Sequence, residues 1–245
     1  MSILSKLNDC VKKKGAGFIV LIDPDKKNDK NIDQLVENAN QNGVDAIFVG
    51  GSIMMDGLYH KRVERIKSIS EIPVILFPGG VNQINKHYDA MLFMSLLSGR
   101  NSHYLIGEQV IAAPIVKDYE IETIPTGYLL IDGGSPTSVE VVSGTKPLPS
   151  NRPDIIVSHA LAAQFLGMEL IYLEAGSGAL NEVPEDVVKK VADEISIGLS
   201  VGGGIRTPED ANSIVNSGAS FVVIGSAIEK SAGLMKEFSS SIHSN

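Results

Sequence analysis

Short apolar runs recur along the chain, and nearly every one ends in polar or glycine-rich residues. The runs are Phe18–Ile22, Ala46–Val49, Pro73–Phe77, Ala90–Leu97, Thr126–Ile131, Leu170–Leu173, Ile195–Val201 and Phe221–Ile224. They are continuous rather than alternating, so both faces of each strand must be covered. That is the pattern of a parallel sheet with helices outside it. Between the runs the apolar residues switch to helical spacing. Ser2–Lys14 carries Ile3, Leu4, Leu7 and Val11 on one face, and Asn31–Asn40 carries Ile32, Leu35, Val36 and Ala39. Further helices are predicted over Leu58–Ser68, His103–Lys117, Asp154–Leu166, Pro184–Glu194 and Ala227–Phe238. Another starts at Thr207-Pro208-Glu209-Asp210, where a hydroxyl cap precedes a proline and two acids.

Strands alternating with helices predict an α/β chain, and this spacing fits an eight-stranded parallel β/α barrel of one domain spanning residues 1–245. An open doubly wound sheet explains less evenly why the unusual residues follow strands one, two, six, seven and eight. One interval breaks the alternation. Between Phe77 and Ala90 lie about ten residues, too few for two turns and a crossover helix. The barrel is therefore expected to lack its third outer helix, leaving a side opening in which a hydrocarbon chain could lie. Asp132–Pro153 is expected to be irregular.

The residues at the strand ends carry the candidate chemistry. Tyr172-Leu173-Glu174-Ala175-Gly176-Ser177-Gly178 brings one carboxylate to the end of a buried strand and follows it with a turn of small residues. Gly203-Gly204 and Gly225-Ser226 end the seventh and eighth strands, where β/α barrels commonly hold a phosphate on backbone N–H groups. Glu174 beside such a cradle is placed to take a proton from a hydroxyl of the same ligand. Asp23, closing the first strand, is a hard oxygen donor suited to Mg²⁺, and Ser52 at the end of the second strand is its expected companion. Asp25 is expected to point to the opposite side. The five histidines show no ligand-like spacing and are expected in surface or capping roles.

Composition narrows the classes. The net charge of −8 argues against a nucleic-acid partner, and Cys10, the single cysteine, rules out a disulfide framework or thiolate cluster. Residues Met1–Lys14 lack the apolar core of a signal peptide, and no run reaches membrane-spanning length, so a cytoplasmic protein is expected, with transient contact to a membrane surface open.

With those residues in view, the sequence resembles the geranylgeranylglyceryl phosphate synthase family, which also includes bacterial heptaprenylglyceryl phosphate synthases. The resemblance covers nearly the whole chain. It is carried by Leu21–Lys26, Val49–Ser52, Phe77–Gly79, Phe93–Asn101, Tyr172–Gly178, Val201–Ile205 and Ile224–Ser226. It implies a barrel without its third outer helix and a homo-oligomer. It also implies Mg²⁺-dependent transfer of a prenyl group from a prenyl diphosphate to the 3-hydroxyl of sn-glycerol 1-phosphate. Carried over by matching motif, Asp23 and Ser52 sit at the Mg²⁺ positions and Glu174 at the base. Tyr172–Gly178, Gly203, Gly204, Gly225 and Ser226 sit at the glycerol phosphate positions. Phe77–Gly80 and Ser98–Asn101 look more like the archaeal-type branch, which implies a C20 donor. Two other classes use a similar cradle: a sugar-phosphate isomerase or aldolase, which wants a strand-end lysine or second acid, and a non-catalytic phosphometabolite-binding protein.

Overall fold

The computed structural model describes residues 1–243. Its eight parallel strands close into a barrel in sequence order: β1 (Gly17–Ile22), β2 (Ala46–Val49), β3 (Val74–Leu76), β4 (Ala90–Leu96), β5 (Glu122–Leu130), β6 (Leu170–Glu174), β7 (Gly198–Gly202) and β8 (Phe221–Ile224). Closure is made by β8 against β1, with Gly17 opposite Phe221 and Val20 opposite Ile224. The outer layer consists of α2 (Ile32–Gln41), α3 (Tyr59–Ile69), α4 (Glu108–Asp118), α6 (Pro153–Phe165), α7 (Glu185–Glu194), α8 (Pro208–Asn216) and α10 (Met235–Ile242), while α1 (Ile3–Lys14) precedes the barrel.

The continuous apolar runs are explained by two cores on either side of the barrel wall. Alternate strand residues such as Val20, Val49, Leu129, Leu173 and Val201 pack outward against the helices, with Val36, Val63 and Val187 facing them. Their neighbours Ile19, Phe48, Ile75, Leu92, Tyr128, Tyr172 and Phe221 fill the interior. Leu7 of α1 joins that inner core, so α1 closes the N-terminal end. The amides of Ile3 and Leu4 donate to the carboxylate of Glu122 at 2.7 and 3.0 Å, a negative group set against the positive end of the helix.

The third outer helix is missing, as expected. A single 3₁₀ turn, Val81–Gln83, lies between β3 and β4. Several boundaries differ from the pattern-based expectation. β5 starts at Glu122 and carries Pro125 inside it, and a proline argues against a central strand. The Pro125 carbonyl accepts from Glu169, just before β6 begins; in a parallel ladder the missing N–H would face that same side, so no bond is lost there. The stretch expected to be irregular contains α5 (Ser138–Ser143), capped by Thr137, whose side chain accepts from the Glu140 amide. The last predicted helix is two: α9 (Ser226–Lys230) and α10, separated by a 3₁₀ turn. Among the described residues, no helix is long and apolar enough to cross a membrane.

Candidate active site

The C-terminal ends of the strands open into one cavity of about 720 Å³. It reaches from Asp23 and Ser52, past Phe77, Tyr128 and Tyr172, to Glu174 and the glycine turns. It continues sideways past Ile84, Met91 and Ala112, through the gap left by the missing helix. Phe77, Tyr128 and Tyr172 form its aromatic floor, with ring centroids 5.1 Å apart for Phe77–Tyr172 and 5.5 Å for Tyr128–Tyr172.

Glu174 ends β6 on the same face as Tyr172, because residues two apart in a strand share a face. It is buried, and its Oε1 accepts the Gly176 N–H at 2.7 Å. Burial pushes its carboxyl up to about 7, with the Gly176 N–H and the neighbouring Tyr172 hydroxyl pulling in the other direction. Among the described residues, neither the Tyr172 hydroxyl nor the Ser200 hydroxyl, on paired residues of β6 and β7, meets a partner at full hydrogen-bond geometry, although the Tyr172 hydroxyl lies near enough to the Glu174 carboxyl to favour its ionised form. The Tyr172 hydroxyl also lines the cavity side of Gly202, where any side chain would strike it. Gly203 is held at φ +80°, and a side chain there would collide with the Glu174 carboxylate and the Gly176 amide. Glycine is therefore required by conformation and by space together. The N–H groups of Gly203, Gly204 and Gly225 meet no acceptor among the described residues. Two turns thus present free donors beside a buried carboxylate.

On the other side of the mouth, Asp23 continues β1 and Ser52 follows β2. The Gly50 amide donates to Ile22 at 3.2 Å, which brings the two strand ends together. The Asp23 carboxylate lies so close to Gly51 that a Cβ there would be 2.6 Å from Oδ1. Burial raises the Asp23 carboxyl to about 6; Lys27 draws it down, and Glu229 and Asp25 add to the rise. Asp25 also lines the cavity, contrary to the expectation that it points away, since residues i and i+2 of an extended chain share a face. Among the described residues no group of three or more His, Cys, Asp or Glu could hold a metal ion by itself. Asp23, Asp25 and Ser52 all border the cavity, and carboxylate and hydroxyl oxygens are the donor type that Mg²⁺ takes together with phosphate oxygens.

The predicted phosphate stretch divides by face. Tyr172, Glu174, Ser177 and Gly178 line the cavity, as do Gly203, Gly204, Gly225 and Ser226. The side chains of Leu173 and Ala175 are turned into the outer core.

This architecture has close counterparts among known proteins. Residues 8–242 match the PcrB family.

The chain belongs to the PcrB family.

It is 42% identical over 239 residues to the geranylgeranylglyceryl phosphate synthase of Chitinophaga pinensis, covering 96% of this chain and 95% of the relative. It is 43% identical over 231 residues to the enzyme of the same name from Thermococcus gammatolerans, covering 94% and 90%. Among solved structures it resembles the (S)-3-O-geranylgeranylglyceryl phosphate synthase of Thermoplasma acidophilum, in complex with its substrate sn-glycerol-1-phosphate, with a TM-score of 0.92, 36% identity, and coverage of 99% and 98%. A thiamine phosphate pyrophosphorylase from Pyrococcus furiosus, TM-score 0.61 at 10% identity, shares the fold alone.

The PcrB-family cavity also uses residues that the sequence reading did not single out. Val139 and Val142 of α5 line it, and the Thr137 methyl packs against Gly176 where that glycine adopts φ +106°. Thr137-Ser138-Val139-Glu140 is a capping-box sequence, the local signal that marks the start of α5. Gln83 bridges the β2 and β3 ends, donating to Gly51 O at 2.6 Å and accepting from the Gly79 amide at 2.8 Å. Nothing in local spacing marks it.

Proposed function

We propose that this PcrB-family protein is a geranylgeranylglyceryl phosphate synthase. It would join C1 of geranylgeranyl diphosphate to the 3-hydroxyl of sn-glycerol 1-phosphate as an ether and release diphosphate, a step of membrane ether-lipid synthesis. The observation that carries this reading is the continuity of the cavity. One space connects a buried carboxylate among glycine turns with Asp23 and with an apolar side gap. Those are the three environments that an acceptor phosphate, a diphosphate and a hydrocarbon chain require. The relatives named for this activity support the same substrates.

In this reading the N–H groups of Gly203, Gly204 and Gly225, with the hydroxyls of Ser177 and Ser226, hold the acceptor phosphate. Tyr172 and the backbone of Leu173–Gly178 shape that half of the site. The acceptor's 3-hydroxyl is then presented to Glu174, whose carboxyl near neutrality matches a general base working at that pH. As the C1–oxygen bond of the donor breaks, its electron pair leaves with the diphosphate. The acceptor oxygen bonds C1, and its proton passes to Glu174. Asp23 and Ser52 would hold Mg²⁺, which supplies charge stabilisation to the departing diphosphate. The side gap past Met91 and Ala112 takes the prenyl chain, and each buried CH₂ contributes about 0.8 kcal/mol. Positioning two substrates in one cavity can itself lower the barrier by several kcal/mol. We place the protein in the cytoplasm, as a homo-oligomer that contacts a membrane surface transiently to collect its donor.

The test is incubation of labelled sn-glycerol 1-phosphate and Mg²⁺ with donors from C10 to C35, scored by extraction of label into organic solvent. The expected result is extractable label, greatest with the C20 donor. No extractable label at any chain length would overturn the reading.

A further inference from the structure

The cavity is lined by more acids than bases, although the proposed donor brings a diphosphate into it. The bases are Lys27, Arg206 and Lys230. Arg206 is committed elsewhere: its guanidinium donates to the carbonyls of Ala179 at 2.6 Å and Leu180 at 3.0 Å, tying the loop after β6 to the turn after β7. Lys27 is different. Its ammonium lies between two carboxylates, 3.5 Å from Glu229 Oε2 and 4.0 Å from Asp23 Oδ2. Its side chain is 59% exposed, so it has room to move.

The loop that carries Lys27 is well anchored. Asn28 is buried, and its side-chain amide donates to the Asp23 carbonyl at 2.9 Å and to Glu229 Oε1 at 2.8 Å. Glu229 therefore has two roles: one oxygen ties α9 to the loop after β1, and the other holds the lysine. A long flexible side chain on an anchored loop, beside the carboxylate expected to face the diphosphate, suits a mobile counter-charge. A lysine acts on phosphate as a point charge and does not demand one fixed geometry.

From this arrangement we propose that Lys27 is the chain's own counter-charge for the diphosphate of the prenyl donor, and that Glu229 competes for it. Without the diphosphate the ammonium pairs with Glu229 and Asp23. With the diphosphate it turns to the phosphate oxygens, leaving Asp23 free for its own role. The inference rests on the prenyl-transfer reading for the identity of the donor. The charge arrangement itself is probed independently by inorganic pyrophosphate.

The experiment combines calorimetric binding of inorganic pyrophosphate, measured with chelator present, with separate KM values for donor and acceptor. Lys27→Met is expected to weaken pyrophosphate binding and raise the donor KM by about tenfold each, the scale of one charge-assisted contact, with the acceptor KM unchanged. Lys27→Arg should recover most of the loss. Glu229→Gln keeps an oxygen for Asn28 and removes the competing charge, so it should tighten pyrophosphate binding. A merely loosened loop would weaken binding in both the Lys27→Met and the Glu229→Gln proteins. Pyrophosphate affinity within twofold of wild type in Lys27→Met, or an equal rise in both KM values, overturns the proposal. If wild type fails to transfer any prenyl group, the functional reading falls, while the pyrophosphate measurements still decide Lys27.

Discussion

Glu174 is buried, accepts the Gly176 N–H, and lies beside the buried Tyr172 hydroxyl. A carboxylate desolvated to that degree is costly to ionise and, once ionised, a stronger base. Glu174→Gln should lower kcat by about 10²- to 10⁴-fold, the usual contribution of a positioned base, with sn-glycerol 1-phosphate binding nearly unchanged by calorimetry. Activity in the wild type should rise with pH and level off above about 7, since the group must be ionised to act and its carboxyl is pushed up to that value. A raised carboxyl costs folded-state stability wherever the unfolded chain would be ionised, which is above the ordinary glutamate range. Glu174→Gln should therefore melt at a higher temperature than wild type at pH 8, and an unchanged or lower melting temperature would contradict this account of burial. Gly203 is the second telling residue. Gly203→Ala must place a side chain at φ +80° against the Glu174 carboxylate. We expect a loss of about 1–2 kcal/mol in stability and at least tenfold in kcat/KM, read by melting and steady-state kinetics.

At the scale of elements, the short connection between β3 and β4 does the most to shape the cavity. Removing one outer helix leaves the α4 face near Ala112 and the strand faces near Met91 without a helical cover, and they line the side gap. Ala112→Phe should fill part of that gap. The expected outcome is a shift of the preferred donor from C20 towards C10 and C15 in the extraction assay. The accompanying stability loss should be about 1–3 kcal/mol, because overpacking strains neighbouring side chains. An unchanged donor profile would place the prenyl chain elsewhere. The missing helix was legible in the sequence because loop length is a hard geometric limit. The α5 segment was harder to see because its six residues give too short a window for helical periodicity. The break between α9 and α10 was also hidden, since the apolar residues on both sides keep a helix-like spacing.

Across the whole molecule, one polar cluster ties the chain ends to the N-terminal side of the barrel. Asp45 accepts from Lys14 Nζ at 2.6 Å and from the Phe18 amide at 2.8 Å, and it pairs with His243 Nε2 at 2.8 Å. His243 was expected in a surface or capping role; it is the C-cap of α10, its N–H donating to Ser239, but its ring is mostly covered, at 14% exposure, in a pair that joins the end of α10 to the segment before β2. Burial raises the Asp45 carboxyl, but the hydrogen bonds from His243, Lys14, Cys10 and Phe18 outweigh it and hold the value at about 2. A depressed carboxylate stabilises the fold above its unfolded value and loses that contribution as pH falls through the folded one. Stability should therefore drop between about pH 4 and pH 2, and Asp45→Asn should remove about 2 kcal/mol at pH 7 and flatten that acid limb in chemical denaturation. An acid limb equal to wild type in the variant would rule out Asp45 as its source.

Hydrophobic pattern alone determined the strand number, the alternation with helices, and the absent third helix, because burial on both faces and loop length are properties of local sequence. The carboxylates and glycines at the strand ends were also visible there, since each is unusual beside an apolar run. Tertiary structure decided which of them share a space. Leu173 and Ala175 belong to the outer core although they lie within the same motif as Tyr172 and Glu174, because strand parity sends alternate residues to opposite sides of the wall. Asp23 and Glu174 border one cavity only because β1 and β6 are brought round the same barrel mouth. Lys27 and Glu229, 202 positions apart by number, meet only because β8 closes against β1. Contacts of that kind depend on closure of the sheet, and no local window of the chain contains them.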